Sequence, residues 1–155
     1  MLIQGKLLSY GSDLSEALEI RRQVFVKEYH KSEEEEFDEQ DPIAMHVIVY
    51  EQGDKKRPVA TGRIVFDGSA CEIGHVAVLK EYRNKQYGDF VVRMLINKAF
   101  TSGIHEVSVK VPGQLIDFFQ KIGFTRKKTI EEIMPDKEYD MTICDGDVHT
   151  CCQSK

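Results

Sequence analysis

The sequence predicts an α+β fold: a mixed, twisted sheet of about six to seven strands flanked by helices. Three observations predict it. Residues 44–78 read as consecutive β-branched, apolar strands joined by turns. Residues 71–111 read as strand, helix, strand, which makes those two strands parallel across a right-handed helical crossover. An amphipathic helix and two further strand candidates then follow, so helices cover a sheet that is neither purely parallel nor purely antiparallel.

The elements follow in chain order. Leu2 to Leu8 is an edge-strand candidate interrupted by Gly5. Asp13 with Glu16 three residues on is a capping-box-like start. Leu14, Ala17, Leu18 and Phe25 then share a helical face that fades near Tyr29 or His30. Ser32 to Pro42 holds the run Glu33–Glu36 and reads as a solvated loop with no specific role. Strands are expected at 44–51, 58–66 and 71–78, with turns at Gly53–Lys56 and Asp67-Gly68. Gly74, inside the third, suggests a bulge or a close backbone approach. Gly88 to Ser102 is apolar over a wide arc (Phe90, Val91, Met94, Leu95, Ala99) and stops at Gly103. A strand at 105–111 ends at Pro112-Gly113. Leu115, Phe118, Phe119 and Ile122 form a helical stripe ending at Gly123. Strand candidates at 124–130 and 138–144 flank Pro135-Asp136. One domain is expected over 1–145, with a flexible tail over 146–155.

Composition narrows the function. At 155 residues and 17.8 kDa the chain suits one domain, and 41% hydrophobic with 30% charged residues suits a folded one. The net charge of −5 argues against nucleic acid as partner and for a cationic or small-molecule one. No apolar run approaches the roughly 20 residues of a membrane span, and no secretory signal opens the chain, so a cytoplasmic protein is expected. Cys71, Cys144, Cys151 and Cys152 lack the density of a disulfide scaffold and the paired spacing of a zinc site, so no metal is expected. Cys71 reads as a small buried hydrophobe.

The most informative stretch is Val76 to Asp89, which leaves a strand, crosses a loop and enters a helix at Gly88. Helix entries present unpaired amides and a positive dipole end to anions. The plainer reading is an ordinary loop with surface cations. The segment does not stand alone, however. It resembles the Arg/Gln-x-x-Gly-x-Gly/Ala pyrophosphate motif of the GNAT superfamily of acetyl-CoA-dependent N-acetyltransferases. Phe118 to Phe124 resembles that family's Phe-Tyr-x-Lys-x-Gly-Phe signature. Arg21 to Glu28, and Glu36 to His46 with its Asp-x-x-Asp-x-x-Ala-x-His pattern, resemble a small single-domain bacterial subgroup.

The resemblance implies two central parallel strands, 71–78 and 105–111, that splay apart and admit acetyl-CoA. The pantetheine arm would pair with backbone near Val76, Ala77 and Val78. The pyrophosphate would meet the loop and helix start, with charge from Arg83 and Lys85 and amides from Asn84, Gln86, Tyr87, Gly88 and Asp89. Phe119 stands where the family places a tyrosine that protonates the departing thiolate, Gln86 where it has a glycine, and Lys110 where it has an asparagine. Phenylalanine donates no proton, which leaves a slow enzyme, water as the acid, or a CoA-binding relic.

The reaction implied is acetyl transfer to a primary amine, on a small molecule or a peptide, by direct attack in a ternary complex. A protonated amine must first lose a proton. Glu72 is the first candidate base, because some family members place a glutamate four residues before the position of Val76. His75 is the second, because histidine is the side chain whose reference pKa, near 6.5, lies closest to neutral pH. A bulge at Gly74 would turn both toward one cleft despite their odd spacing. Glu28, Asp38, Asp41 and His46 are candidates for the acceptor side. His149 joins them because the resembled subgroup often carries a histidine near the end of its last strand. The alternative is a CoA-binding module with little or no turnover. Open edge strands at either end of the sheet leave room for a homodimer.

Overall fold

The structure is a computed structural model, and it describes residues 2–127 and 132–149. One seven-stranded sheet runs in the order β1-β2-β3-β4-β5-β7-β6. The strands are β1 Leu2–Leu8, β2 Met45–Gln52, β3 Lys56–Asp67, β4 Ala70–Val78, β5 Glu106–Pro112, β6 Thr125–Arg126 and β7 Glu138–Cys144. The first four form an antiparallel meander. The pair β4–β5 is parallel, and β7 lies antiparallel between β5 and β6. The mixed sheet expected from sequence is therefore present. The part of the expected 124–130 strand beyond residue 127 lies outside the described residues.

The sheet is covered on both faces. Helix α3 (Tyr87–Thr101) packs on one face, where Val91, Val92, Leu95 and Ile96 meet Val47, Val49, Ile64 and Ile73 in the main core. Helix α1 (Ser15–Arg21) continues as π-helical turns over Arg22–Glu28 and packs on the other, where Ala17, Ile20 and Val24 meet Ile48, Tyr50 and Ala77. Alternation along β2 sorts the residues: Val47 and Val49 face α3, and Ile48 and Tyr50 face α1. Helix α4 (Ile116–Ile122) adds Ile116, Phe119 and Ile122 to the α3 side. Gly123 ends it with a φ of 130°, close under the Asp147 carbonyl.

Three local expectations are corrected. The α1 start is not a capping box: Asp13 Oδ1 accepts from the Ser15 amide at 2.9 Å, while Glu16 accepts from the Tyr50 hydroxyl at 2.6 Å. The 32–42 segment is not simply a solvated loop, because Glu33–Glu36 forms a short helix, α2, capped by Ser32, and Glu36 is fully buried. The bulge in β4 does not sit on Gly74. Gly74 pairs with Arg63 and Ala77 with Thr61, so the extra residue lies between them, where His75 has a φ of 52°. Nothing approaches Gly74 closely. Residues 146–149 turn back onto the domain, with the His149 amide donating to the Ile122 carbonyl at 2.7 Å. Residues 150–155, with Cys151 and Cys152, lie outside the described residues.

Candidate active site

The cleft begins where parallel pairing stops. β4 and β5 match only at Glu72–Ser108 and Ile73–Val109. From Gly74 to Val78 the β5-facing edge of β4 has no strand partner among the described residues, which leaves backbone donors and acceptors open to an extended ligand. The bulge also resets side-chain direction. Cys71 and Ile73 face α3 before it, and Val76 and Val78 pack on that side after it, so Ala77 faces α1.

The β4–α3 loop forms a cradle at the far end of this opening. Asn84 and Gln86 both take left-handed φ values, 65° and 68°. The first amide to close a helical bond in α3 is that of Phe90, to the Gln86 carbonyl at 3.1 Å. The amides of Tyr87, Gly88 and Asp89 precede it, at the positive end of a 15-residue helix. A Cβ at Gly88 would meet Phe118 and Val78 at ordinary contact distance. Arg83 is tied down beside the loop: its guanidinium donates twice to Glu28, both at 2.7 Å, and to the Val78 carbonyl at 3.0 Å. Lys85 lies 3.9 Å from Glu51, which also accepts from the buried Tyr87 hydroxyl. Burial, then that hydrogen bond, pushes the Tyr87 phenol up to about 12. Asp89 pairs with Arg93 one turn on, at 2.6 Å.

Beneath α1 lies a buried charged cluster. Arg21 Nε donates to Glu36 Oε2 at 2.7 Å, and its Nη1 donates to Asp41 at 2.6 Å. Arg63, on β3, donates to Asp41 at 2.7 Å and to Asp38 at 2.6 and 2.8 Å. His75 Nδ1 lies 2.6 Å from Glu36 Oε2. Lys31 reaches Glu36 Oε1 at 3.1 Å. Burial raises the Glu36 carboxyl, but hydrogen bonds from His75 and Arg21 outweigh it and hold the group below its ordinary range. Asp41 follows the same balance, with both arginines outweighing burial. Arg63 holds the Asp38 carboxyl at about 2. His46 is fully buried; its Nε2 lies 2.9 Å from the Asp41 carbonyl, and burial pushes the imidazole below its ordinary value.

A sequence model of the Acetyltransferase (GNAT) family matches residues 14–124. The chain is 34% identical over 122 residues to the uncharacterized protein YyaT of Bacillus subtilis, covering 77% of this chain and 80% of that one. The chain belongs to the GNAT acetyltransferase family. It is therefore an acyltransferase by family. Its fold matches two solved structures. Escherichia coli ElaA superposes with a TM-score of 0.76 at 21% identity, over 92% of this chain and 99% of ElaA. The PaiA N-acetyltransferase of Thermoplasma acidophilum, solved in complex with coenzyme A, superposes with a TM-score of 0.64 at 19% identity, over 93% and 99%.

Against the GNAT expectations, the structure places the candidate residues as follows. Glu72 is exposed on β4, opposite in direction to Cys71 and Ile73, and so on the α1 side. His75 contacts Arg21, Glu36 and Phe25 and so lies on that side too. Glu28, Asp38 and Asp41 are each paired with an arginine, so none presents a free carboxylate. Phe119 is buried edge-to-face against Phe118 and Phe124. His149 is exposed near Arg93, which donates to its carbonyl. Lys110 is exposed on β5. Cys71 is buried, and burial pushes its thiol up to about 11. The residues that sequence reasoning missed are Glu36, Arg21 and Arg63. The subgroup-like segments contain Arg21 and Glu36, but within a run of four glutamates only the tertiary contact singles out the last. No group of three or more His, Cys, Asp or Glu among the described residues is arranged to hold a metal. No described helix is long and apolar enough to cross a membrane.

Proposed function

We propose that this chain transfers the acetyl group of acetyl-CoA to a primary amine by direct attack in a ternary complex. The observation that carries the reading is the cleft: parallel pairing that stops at Ile73–Val109 and leads to three free amides at the start of α3. These residues fit the co-substrate. The open edge from Val76 to Val78 suits a pantetheine amide, and the Asn84–Asp89 cradle suits a pyrophosphate. Arg83 joins it by exchanging one Glu28 contact for a phosphate oxygen.

The chemistry assigned to the chain is proton removal and charge stabilisation. A group on the α1 side of β4, His75 or Glu72, accepts one proton from the ammonium. The freed amine attacks the thioester carbonyl, the C–S bond breaks, and the second nitrogen proton goes to the departing thiolate through water, since Phe119 has no hydroxyl. A backbone amide near Val78 polarises the carbonyl. Within this reading Glu28, Asp38, Asp41 and His46 shape the acceptor wall, because each is already bonded. A covalent route through Cys71 finds no support in a buried, protonated thiol.

Titration calorimetry with acetyl-CoA, then with CoA, tests the cleft. Micromolar binding is expected, and absence of binding up to millimolar ligand overturns the reading. Thiol release with a panel of primary amines tests transfer. A second reading, a CoA-binding module, is favoured by the missing hydroxyl at Phe119. It predicts tight binding and no thiol release with any amine.

A further inference from the structure

The run Glu33–Glu36 reads as a solvated stretch, yet its last residue is the most deeply buried carboxylate of the described chain. A buried carboxylate costs several kcal/mol of desolvation unless it is paired and hydrogen-bonded. Arg21 supplies that pairing through Nε to Oε2 at 2.7 Å, its Nη2 holds the Glu36 main-chain carbonyl at 2.7 Å, and Lys31 covers Oε1. Stability alone therefore does not require the further bond from His75. That bond is made at a backbone cost. His75 sits at a φ of 52°, a left-handed conformation that strains a non-glycine residue, while Gly74 beside it takes no positive φ. The bulge spends its strain on aiming an imidazole.

The ring is asymmetrically engaged. Nδ1 lies 2.6 Å from Glu36 Oε2, while Arg21 Nη2, 3.4 Å from the same ring nitrogen, donates to the Glu36 main-chain carbonyl and to Asp41 Oδ2. Nε2 has no partner among the described residues. It is also not a buried orphan, a state in which His46 Nδ1 stands alone among them, so Nε2 reaches solvent. A carboxylate on Nδ1 fixes the Nδ1–H tautomer and leaves a lone pair on Nε2.

We propose that Glu36 is the positioning residue for His75, holding the ring so that Nε2 takes the proton of the amine acceptor at the mouth of the β4–β5 splay. The proposal rests on the acetyl-transfer reading and selects His75 over Glu72 as the base. The step balances. The acceptor's N–H bond breaks, the proton goes to Nε2, the imidazolium is stabilised by Glu36, and the proton then passes to solvent.

Two measurements test it. The ring nitrogen chemical shifts of His75 in the unaltered protein, assigned by loss of its signals in His75→Gln, report the tautomer without any substrate. The Nδ1–H form is expected, and a predominant Nε2–H form overturns the proposal. The pH profile of kcat/KM is then compared for the unaltered protein, Glu36→Gln and Glu72→Gln. Removing a carboxylate beside an imidazole disfavours the imidazolium, so the acidic limb moves to lower pH in Glu36→Gln, with a fall in rate of roughly 10–100-fold at neutral pH. Glu72→Gln leaves the limb in place. A limb that moves in Glu72→Gln and not in Glu36→Gln overturns the proposal while leaving acetyl transfer standing. Thiol release absent with every amine overturns the transfer reading instead, and the tautomer measurement then still decides whether Glu36 holds the ring.

Discussion

Gln86 sits at φ 68° and ψ 17° immediately before α3. A Cβ in that region costs about 1–2 kcal/mol, and glycine removes the clash at the expense of about 0.4–1 kcal/mol of chain entropy. The net for Gln86→Gly runs from near zero to a gain of about 1.6 kcal/mol, or up to about 6 °C in Tm for a chain of this size. A thermal melt checks it, and a lower Tm shows that the side chain supports the loop in another way. The resemblance marks this position as one that ordinarily holds glycine, and the structure supplies the reason: a conformational demand on the turn that opens the helix. Glu36 shows the opposite case. Four consecutive glutamates carry no sign of which one is buried; that is decided by Arg21, fifteen residues earlier, once α1 and α2 pack together. Asp38, Asp41 and His46 were legible as a pattern, but their partners Arg21 and Arg63 were not, because sequence spacing does not report who neutralises whom.

At the scale of elements, strands and their turns were the most legible features, since β-branched alternation and the Asp67-Gly68 signal are local. The packing of α3 on β3 was not, because it depends on a close approach between elements far apart in sequence. A Cβ on Gly62 would stand 2.6 Å from Val91 Cγ1 and 3.1 Å from Leu95 Cδ1, so the helix rests on bare backbone there. Gly62→Ala is expected to destabilise by about 1–3 kcal/mol through overpacking. Gly53→Ala, with nothing within 4 Å of its Cβ, stays within about 0.5 kcal/mol. Urea unfolding of the two variants reads the difference, and equal midpoints show that α3 shifts at no cost. The bulge in β4 was legible as an event but placed one residue early. Glycine marks where strain is cheap, whereas here the strained position carries the imidazole of His75.

Across the whole molecule, a net charge of −5 says nothing of where the charges lie. The fold gathers three cations and three carboxylates under α1, and this gives the protein a specific response to acid. Asp38 has its pKa lowered from 3.8 to about 2, first by the hydrogen bond from Arg63, and Glu36 and Asp41 are lowered as well. A depressed carboxylate stabilises the folded state above its unfolded pKa, and that contribution is lost as pH falls through the folded one. Stability is therefore flat above about pH 4 in this respect and declines toward pH 2. Asp38 is about a third exposed, at 36%, so solvent screening limits its share to about 1 kcal/mol. Asp38→Asn is expected to lose that share at neutral pH and to show a shallower decline between pH 4 and pH 2. Chemical unfolding of both proteins at several pH values measures it. Parallel declines would show that the acid sensitivity belongs to the buried pairs of Glu36 and Asp41 with Arg21, and that Arg63 gains its hold on the cluster through Asp41 alone.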